Sequence, residues 1–277
     1  MVGNSERRHL KGEPVSDYDC TSLYPSAMAR LTSDLGGYLK GRPKVIGPDQ
    51  LNMDFLRTVD GYFVEVVCTK VGKHREFPLL NHRETPQSTR QYRNDLAGKT
   101  LFLDRVGLED AVRFQGLEFD LVRGYYFDEG RNPTIGTVIR EMFDARVEKK
   151  RVGNPIQIVY KLLMNASYGR TLLKPVETTA DVYNTEAAYE KQLIYNYNSV
   201  KSVQPIPGGK FLVTKWAPID KHFNTVHVGC EVLSMSKRIM SEVMCLAEDE
   251  GHTVYYQDTD SMHIDSDAVP KLAEAFQ

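Results

Sequence analysis

The sequence predicts an α+β fold in which a mostly antiparallel sheet is backed by helices. Strand-like segments rich in β-branched and aromatic residues occur along the chain, and Gly61–Val71 is the longest of them. A long amphipathic helix is predicted over Cys230–Asp249, because apolar residues recur there at helical spacing. Directly after it, Thr253–Gln257 and Met262–Ile264 form a predicted strand pair around a tight turn at residues 258–260.

The first half of the chain mixes strands and helices. Val15–Cys20 is a predicted strand, Ser22–Pro25 a predicted turn and Ser26–Leu31 the start of a predicted helix. After the long strand, Thr100–Leu103 and Phe119–Phe127 are predicted strands, with a helix over Leu108–Gln115 between them.

A helix pair follows. The first helix is predicted over Gly136–Lys150 and the second from Asn154, which is a good N-cap followed by Pro155 at a position where proline is tolerated. Gly169 is a predicted C-terminal stop, and the short linker predicts an antiparallel hairpin. Residues 171–228 are predicted to alternate short strands with polar segments.

Composition is that of a globular protein. The chain has 277 residues, with 35 Lys and Arg against 37 Asp and Glu, and a net charge of −2. No stretch approaches the roughly 20 apolar residues of a membrane-spanning helix, and the N-terminus lacks a secretory signal, so we expect an intracellular, non-secreted protein without a membrane partner. The four cysteines form no C-x-x-C pair. Gly98-Lys99-Thr100 resembles the end of a phosphate-binding loop, G-x-x-x-x-G-K-[ST]. The first glycine of that motif is absent, because position 93 is Arg93, so a polar turn is favoured.

Charge is distributed unevenly along the chain. Residues 140–161 carry six Lys or Arg and three acidic residues, whereas residues 242–267 carry eight acidic residues and no Lys or Arg. The near-neutral total therefore combines a cationic helix pair, suited to phosphates, with an acidic region suited to metal ions.

Two acidic constellations carry candidate chemistry. Asp19 ends a strand just before a turn, where the following backbone N–H groups could face an anion, although a merely capped turn would have the same sequence. Asp258 and Asp260 share one hairpin turn, where they repel each other unless a cation lies between them. Oxygen ligands of this kind suit Mg²⁺.

A third constellation lies on the helix pair. Lys161, Asn165 and Tyr168 share one face of the second helix, and the first helix carries a cationic face that includes Arg146 and Lys150. Such a hairpin could hold a triphosphate and a base. The alternative is an ordinary solvated charged face.

Together the three constellations resemble the polymerase motifs of family B DNA polymerases. The segment Asp19-x-x-Ser22-Leu23-Tyr24-Pro25 resembles motif A. Lys161-x-x-x-Asn165-x-x-Tyr168-Gly169 resembles motif B, with Ala166 in place of the usual serine. Tyr256-x-Asp258-Thr259-Asp260-Ser261 resembles motif C. The resemblance implies a polymerase palm with an inserted two-helix fingers hairpin.

The resemblance also implies roles for single residues. Asp19 and Asp260 would hold two Mg²⁺ ions, for which Mn²⁺ can substitute in the family, and Asp258 would assist them. Leu23 and Tyr24 would offer N–H groups to the triphosphate, with the Tyr24 ring under the sugar. The remaining assignments are phosphate contacts for Lys161 and, more loosely, Arg146 and Lys150, and contacts near the nascent base pair for Asn165 and Tyr168.

The spacing of the motifs predicts the domain organisation. Residues 1–135 would be the first part of the palm with an insertion at about 31–125, residues 136–170 the fingers, and residues 171–277 the second part of the palm with an insertion at about 171–228. Two such insertions resemble the protein-primed branch of viruses, phages and linear plasmids. No exonuclease motif precedes Asp19 and no thumb follows Gln277, so a palm-and-fingers piece of a longer polymerase is expected.

The predicted function is template-directed DNA synthesis by a DNA-directed DNA polymerase. Its partners would be primer-template DNA, deoxynucleoside triphosphates and, by resemblance, a priming protein. The alternative is a non-catalytic nucleic-acid-binding fragment or a degenerate polymerase subunit. The retained acidic residues disfavour that alternative, because a binding-only sheet is better served by basic or aromatic side chains.

Overall fold

The computed structural model describes residues 14–85, 87–174, 177–217 and 224–275. The first 13 residues, on which the expectation of a non-secreted chain rests, lie outside these ranges, as does Gln277. The helices are α1 Leu23–Leu35, α2 Met53–Leu56, α3 Arg105–Gln115, α4 Thr134–Arg151, α5 Ile156–Thr171, α6 Glu186–Asn196, α7 Val226–Asp249 and α8 Ala268–Ala275, with 3₁₀ turns at Pro48–Gln50 and Tyr197–Ser199.

The strands are short apart from two of 11 residues, β4 and β8. In chain order they are β1 Val15–Asp19, β2 Tyr38–Leu39, β3 Lys44–Val45, β4 Gly61–Val71, β5 Asn81–His82, β6 Gln91–Tyr92, β7 Thr100–Asp104, β8 Leu117–Phe127, β9 Arg131–Asn132, β10 Thr178–Tyr183, β11 Val200–Ile206, β12 Lys210–Trp216, β13 Val254–Asp258 and β14 Ser261–Asp265.

The chain divides into two compact units, residues 1–168 with 227–277 and residues 169–226. The first unit contains a three-stranded antiparallel sheet in the order β1-β14-β13 and a four-stranded antiparallel sheet in the order β3-β8-β4-β7. The second unit contains a three-stranded antiparallel sheet in the order β10-β12-β11 together with α6.

The first unit has three groups of buried apolar side chains. One lies between the four-stranded sheet and α3 and includes Val64, Val66 and Leu108. The second joins α1, α4, α5 and α7. The third packs α7 and α8 against the hairpin β13–β14 through residues such as Met244 and Ile264. Helix α7 therefore supports the small sheet and the helix pair from one side.

Long, strongly patterned elements form where the sequence predicts them. Strand β4 occupies Gly61–Val71 as predicted. Helix α3 was predicted from Leu108 and begins three residues earlier, at Arg105, because the Asp104 carboxylate accepts the Gly107 N–H at 2.9 Å. Helix α5 follows an N-cap as predicted, since the Ile156 N–H donates to the Asn154 side chain at 3.0 Å.

Three local predictions are wrong. The predicted turn at Ser22–Pro25 is mostly helix, since α1 begins at Leu23 and tolerates Pro25 in its first turn. Gly169 does not end α5, which continues to Thr171. Helix α6 was predicted as strand and polar segments, because it has no buried face to produce an apolar period.

No helix of the described residues is long and apolar enough to cross a lipid bilayer.

Candidate active site

Pairing of β1 with β14 brings two distant carboxylates together. Asp19, the last residue of β1, pairs with Ser261, the first residue of β14. The next residue continues the contact, because the Cys20 N–H donates to the Asp260 carbonyl at 2.6 Å. Asp19 and Asp260 therefore lie at the same end of one small sheet, although most of the chain separates them in sequence.

The hairpin between β13 and β14 presents its acidic residues at the turn. Asp258 pairs with Ser261, and Thr259 adopts a left-handed backbone with φ +50°. The Thr259 hydroxyl lies 3.1 Å from an oxygen of the Asp258 carboxylate, and the Ser261 hydroxyl donates to the Asp258 carbonyl at 3.2 Å. Asp258 is exposed and Asp260 half-buried, so both carboxylates remain accessible to a ligand.

The electrostatic environment of these carboxylates is negative. Burial raises the pKa of the Cys20 thiol, and the charges of Asp260 and Asp19 raise it further, so both carboxylates lie close to this sulfur. Within the described part of the chain, no ion pair neutralises Asp19, Asp258 or Asp260. Accessible carboxylates at one end of a sheet, without a cationic side-chain partner among the described residues, fit a divalent metal such as Mg²⁺.

The turn after Asp19 leads into the N-terminus of α1. Ser22 adopts a left-handed backbone with φ +56°, and the first intrahelical bond runs from the Ser26 N–H to the Ser22 carbonyl. The N–H groups of Leu23 and Tyr24 therefore precede the hydrogen-bond ladder of the helix. Such N–H groups and the helix dipole favour an anion.

The first helix of the pair contacts this turn. Arg146 of α4 donates from Nη1 to the Ser22 hydroxyl at 2.7 Å, and its Nε is buried without a hydrogen-bond partner. Positive charge thus lies beside the N-terminus of α1, close to the strand end that carries Asp19.

The second helix of the pair contributes an aromatic contact. The rings of Tyr24 and Tyr168 are stacked, with centroids 4.4 Å apart and planes 9° from parallel. Burial raises the pKa of the Tyr168 hydroxyl to about 12, with smaller contributions from Tyr24 and Cys230. The Tyr168 phenol is therefore uncharged near neutral pH, and its ring forms an aromatic surface with Tyr24 next to the N-terminus of α1.

The other predicted residues lie on the same helices but are exposed. Lys161 and Asn165 precede Tyr168 on one face of α5, and Lys150 lies near the end of α4. The structure therefore brings Asp19, Asp260, Asp258, Leu23, Tyr24, Arg146 and Tyr168 together. Among the described contacts, none joins Lys150, Lys161 or Asn165 to that group.

A cavity that the sequence did not predict opens beside Leu23 and Tyr24. It has a volume of about 1000 Å³ and is lined by α7, by the edge of the four-stranded sheet, by residues 77–85 and by Arg90 and Tyr92. Gln257, the variable position of the hairpin motif, lines it and is buried, with its side-chain oxygen unpaired. Its position between Tyr256 and Asp258 in the hairpin motif is the sequence signal that could have marked it as a candidate site residue. Residues 77–85, Arg90 and Tyr92 carried no sequence signal, because their position on the cavity wall depends on long-range packing.

Comparison with known proteins identifies the family. The family model described as DNA polymerase type B, organellar and viral, matches residues 3–241. The chain belongs to this family. The predicted resemblance to family B polymerases is therefore confirmed.

Curated relatives of this polymerase family member come from fungi. A probable DNA polymerase of Ascobolus immersus is 24% identical over 265 residues, covering 93% of the chain and 20% of the relative. A probable DNA polymerase of Neurospora intermedia is 24% identical over 264 residues, covering 92% of the chain and 26% of the relative. The chain thus spans about a quarter or less of the length of either relative.

Solved structures with the same fold are also polymerases. An orthorhombic crystal form of Phi29 DNA polymerase matches with a TM-score of 0.58 and 17% identity, over 96% of the chain and 41% of that structure. Phi29 DNA polymerase complexed with primer-template DNA and incoming nucleotide substrates matches with a TM-score of 0.54 and 16% identity, over 91% and 38%. The predicted α+β, palm-like fold is confirmed.

Proposed function

We propose that this chain is the palm and fingers region of a DNA-directed DNA polymerase, which adds deoxynucleotides to a primer 3′-OH. The observation that carries the proposal is the pairing of β1 with β14, which places Asp19 beside Asp260. Two carboxylates at one sheet end, without a cationic partner in the described residues, form the donor set of a two-metal nucleotidyl transferase.

In the proposed mechanism the carboxylates organise the metal site. Asp19 and Asp260 would hold two Mg²⁺ ions, which Mn²⁺ could replace, and Asp258 at the hairpin turn would assist them. When bound, the two ions lower the pKa of the primer hydroxyl and neutralise charge on the leaving pyrophosphate. Because the β1-β14-β13 sheet holds the backbone of these residues, their carboxylates would need little reorganisation when substrate arrives.

The turn and the helix pair would hold the triphosphate. The N–H groups of Leu23 and Tyr24 point from the start of α1, where the helix dipole favours phosphate. Arg146 already lies at this turn through its bond to Ser22. Lys161 and Lys150 are exposed cations on α5 and α4, and they would reach the triphosphate as the helix pair closes on substrate.

The stacked tyrosines would position the sugar and the base. The Tyr24 ring would lie under the deoxyribose, where a ribose 2′-OH would collide with it. Tyr168, whose ring stacks on Tyr24, and Asn165, one helical turn earlier, would contact the nascent base pair. In this arrangement one aromatic surface serves both sugar selection and base positioning.

The partners follow from the same reaction. They are primer-template DNA and deoxynucleoside triphosphates. One of the Phi29 polymerase structures that share this fold is complexed with primer-template DNA and incoming nucleotide substrates. The two insertions predicted at about 31–125 and 171–228 favour a protein-primed enzyme, with a priming protein as a further partner.

The proposal is tested by primer extension in the presence and absence of Mg²⁺ with this chain as the palm and fingers of an otherwise complete polymerase, because the chain spans only about a quarter or less of its relatives. The unaltered chain is expected to incorporate deoxynucleotides only with Mg²⁺, and Asp19→Asn and Asp260→Asn are each expected to abolish incorporation. Both changes preserve side-chain shape, so circular dichroism should show an unchanged fold.

The matched control is Asp17→Asn. Asp17 lies two residues before Asp19 on β1, is exposed, and is 3.5 Å from His263 rather than at the strand end. The Asp17→Asn variant should retain full primer-extension activity. Mg²⁺-independent binding of primer-template without any incorporation would contradict the proposal and favour the non-catalytic binding module.

A further inference from the structure

We propose that His252, Asp265 and Asp267 form a divalent-metal site of the Zn²⁺ class, distinct from the carboxylates of the polymerase site. One ligand atom from each of the three side chains lies within 4.8 Å of the other two. The inference does not depend on the proposed polymerase activity, because it concerns a different end of the hairpin.

The site lies at the open end of the β13–β14 hairpin. His252 precedes β13, Asp265 is the last residue of β14, and Asp267 directly precedes α8. Each strand has five residues, so at about 3.3 Å per residue this end is roughly 15 Å from the turn that carries Asp258 and Asp260. An ion here would tie together the end of α7, the hairpin and the start of α8.

Hydrogen bonds hold one ligand in place. The Asp265 carboxylate accepts the Thr253 N–H at 2.7 Å on one oxygen and the Tyr255 hydroxyl at 2.8 Å on the other. A carboxylate has further lone pairs on both oxygens, so it can still bind a metal. Outer partners of this kind orient carboxylate ligands in known metal sites.

The imidazole supplies the second observation. Among the residues that the structure describes, Nε2 of His252 is buried without a hydrogen-bond partner, although the residue as a whole is partly exposed. A buried nitrogen without a partner is costly and uncommon. A metal ion held by the neighbouring carboxylates would order this imidazole and offset that cost.

The chemistry of the donors selects the ion. Two carboxylates next to one imidazole favour a borderline cation such as Zn²⁺ over Mg²⁺ or Ca²⁺, which prefer oxygen donors alone. Donor atoms around tetrahedral Zn²⁺ are about 3.4 Å apart, a spacing that small side-chain rotations reach from the distances observed. Residues 242–267 contain no Lys or Arg, and the cations Lys73 and Arg75 at the end of α7 are paired with Asp249.

The test is calorimetric titration of Zn²⁺ into the 277-residue chain carrying Asp19→Asn and Asp260→Asn, which removes the carboxylates of the polymerase site. One Zn²⁺ is expected to bind and to raise the thermal midpoint. Adding His252→Ala or Asp267→Asn should weaken binding by about 100-fold. Asp267 is exposed, so its replacement by the isosteric amide leaves the fold intact.

The control is His74→Ala, which removes an exposed imidazole outside the cluster and should leave Zn²⁺ affinity unchanged. Absence of Zn²⁺ binding by the background chain would overturn the proposal. So would undiminished binding by both cluster variants, because it would place the ion elsewhere, for example on a cysteine.

Discussion

Arg131 joins several elements of the first unit through buried hydrogen bonds. It lies in β9 and donates to the carbonyls of Gly37 and Asp60, and its guanidinium pairs with both oxygens of Glu231 on α7. The Arg131 and Glu231 side chains are only 6% and 1% exposed. Because both charges are out of water, each depends on the other for compensation.

Glu231→Ala is therefore expected to lower the free energy of unfolding by about 3–5 kcal/mol, since it leaves Arg131 buried and unpaired. Denaturant unfolding followed by circular dichroism measures the loss. Glu118→Ala is the matched control, because Glu118 pairs with Lys70 on the surface, with both side chains more than half exposed. That pair should contribute at most about 1 kcal/mol. An equal decrease in the free energy of unfolding in the two variants would show that the buried pair stabilises the fold no more than the exposed pair.

At the scale of elements, predictions succeeded where the hydrophobic pattern of the segment was strong and failed where it was absent. Strand β4 was predicted over its observed range because its β-branched and aromatic run leaves little alternative. Helix α7 was predicted from Cys230 and begins four residues earlier, at Val226. Helix α6 was missed because none of its residues is buried, so nothing in the sequence marks one face.

Helices α1 and α4 pack closely where Gly136 of α4 faces α1. A Cβ added to Gly136, in the first turns of α4, would lie 1.9 Å from the Thr32 hydroxyl oxygen and 2.6 Å from the Thr32 Cβ on α1. The spacing of α1 and α4 therefore requires the absence of a side chain at this position. The sequence predicted α4 but not this contact, because the contact depends on which face of α1 packs against α4.

Gly136→Ala is expected to push α4 away from α1 and to destabilise the chain by about 1–3 kcal/mol, despite the higher helix propensity of alanine. The measurement is the midpoint of denaturant unfolding. Gly169→Ala makes the same substitution within α5, where an added Cβ meets no atom within 4 Å. It should stabilise by up to about 1 kcal/mol. A gain in both variants would contradict the close approach.

At the scale of the whole molecule, the sequence predicted which residues belong to the candidate site, but not which of them the fold brings close together. Each motif was visible as a short pattern, but the register that pairs Asp19 with Ser261 is a long-range property. The cavity beside Tyr24 could not be predicted for the same reason, since residues 77–92 carry no periodic pattern. The domain boundaries stay predictions, although the second unit spans residues 169–226, close to the insertion predicted at about 171–228.

The second unit offers a test of how the chain is built. Its first and last described segments meet, because the Asn224 side chain donates to the Leu173 carbonyl. A short glycine linker can therefore replace residues 174–223 without stretching the backbone. Because the first unit has its own buried apolar groups, it should keep a cooperative unfolding transition, with a free energy of unfolding changed by no more than about 2 kcal/mol through loop closure.

Thermal and denaturant unfolding of this shortened chain measure the outcome, and excision of Gly61–Phe127 is the control. The control removes most of the four-stranded sheet and the apolar side chains between it and α3, so it should abolish cooperative unfolding. A shortened chain that unfolds without a cooperative transition would mean that the first unit needs residues 174–223 to fold. Cooperative unfolding would instead show that the strand pairing that places Asp19 beside Asp260 forms without them.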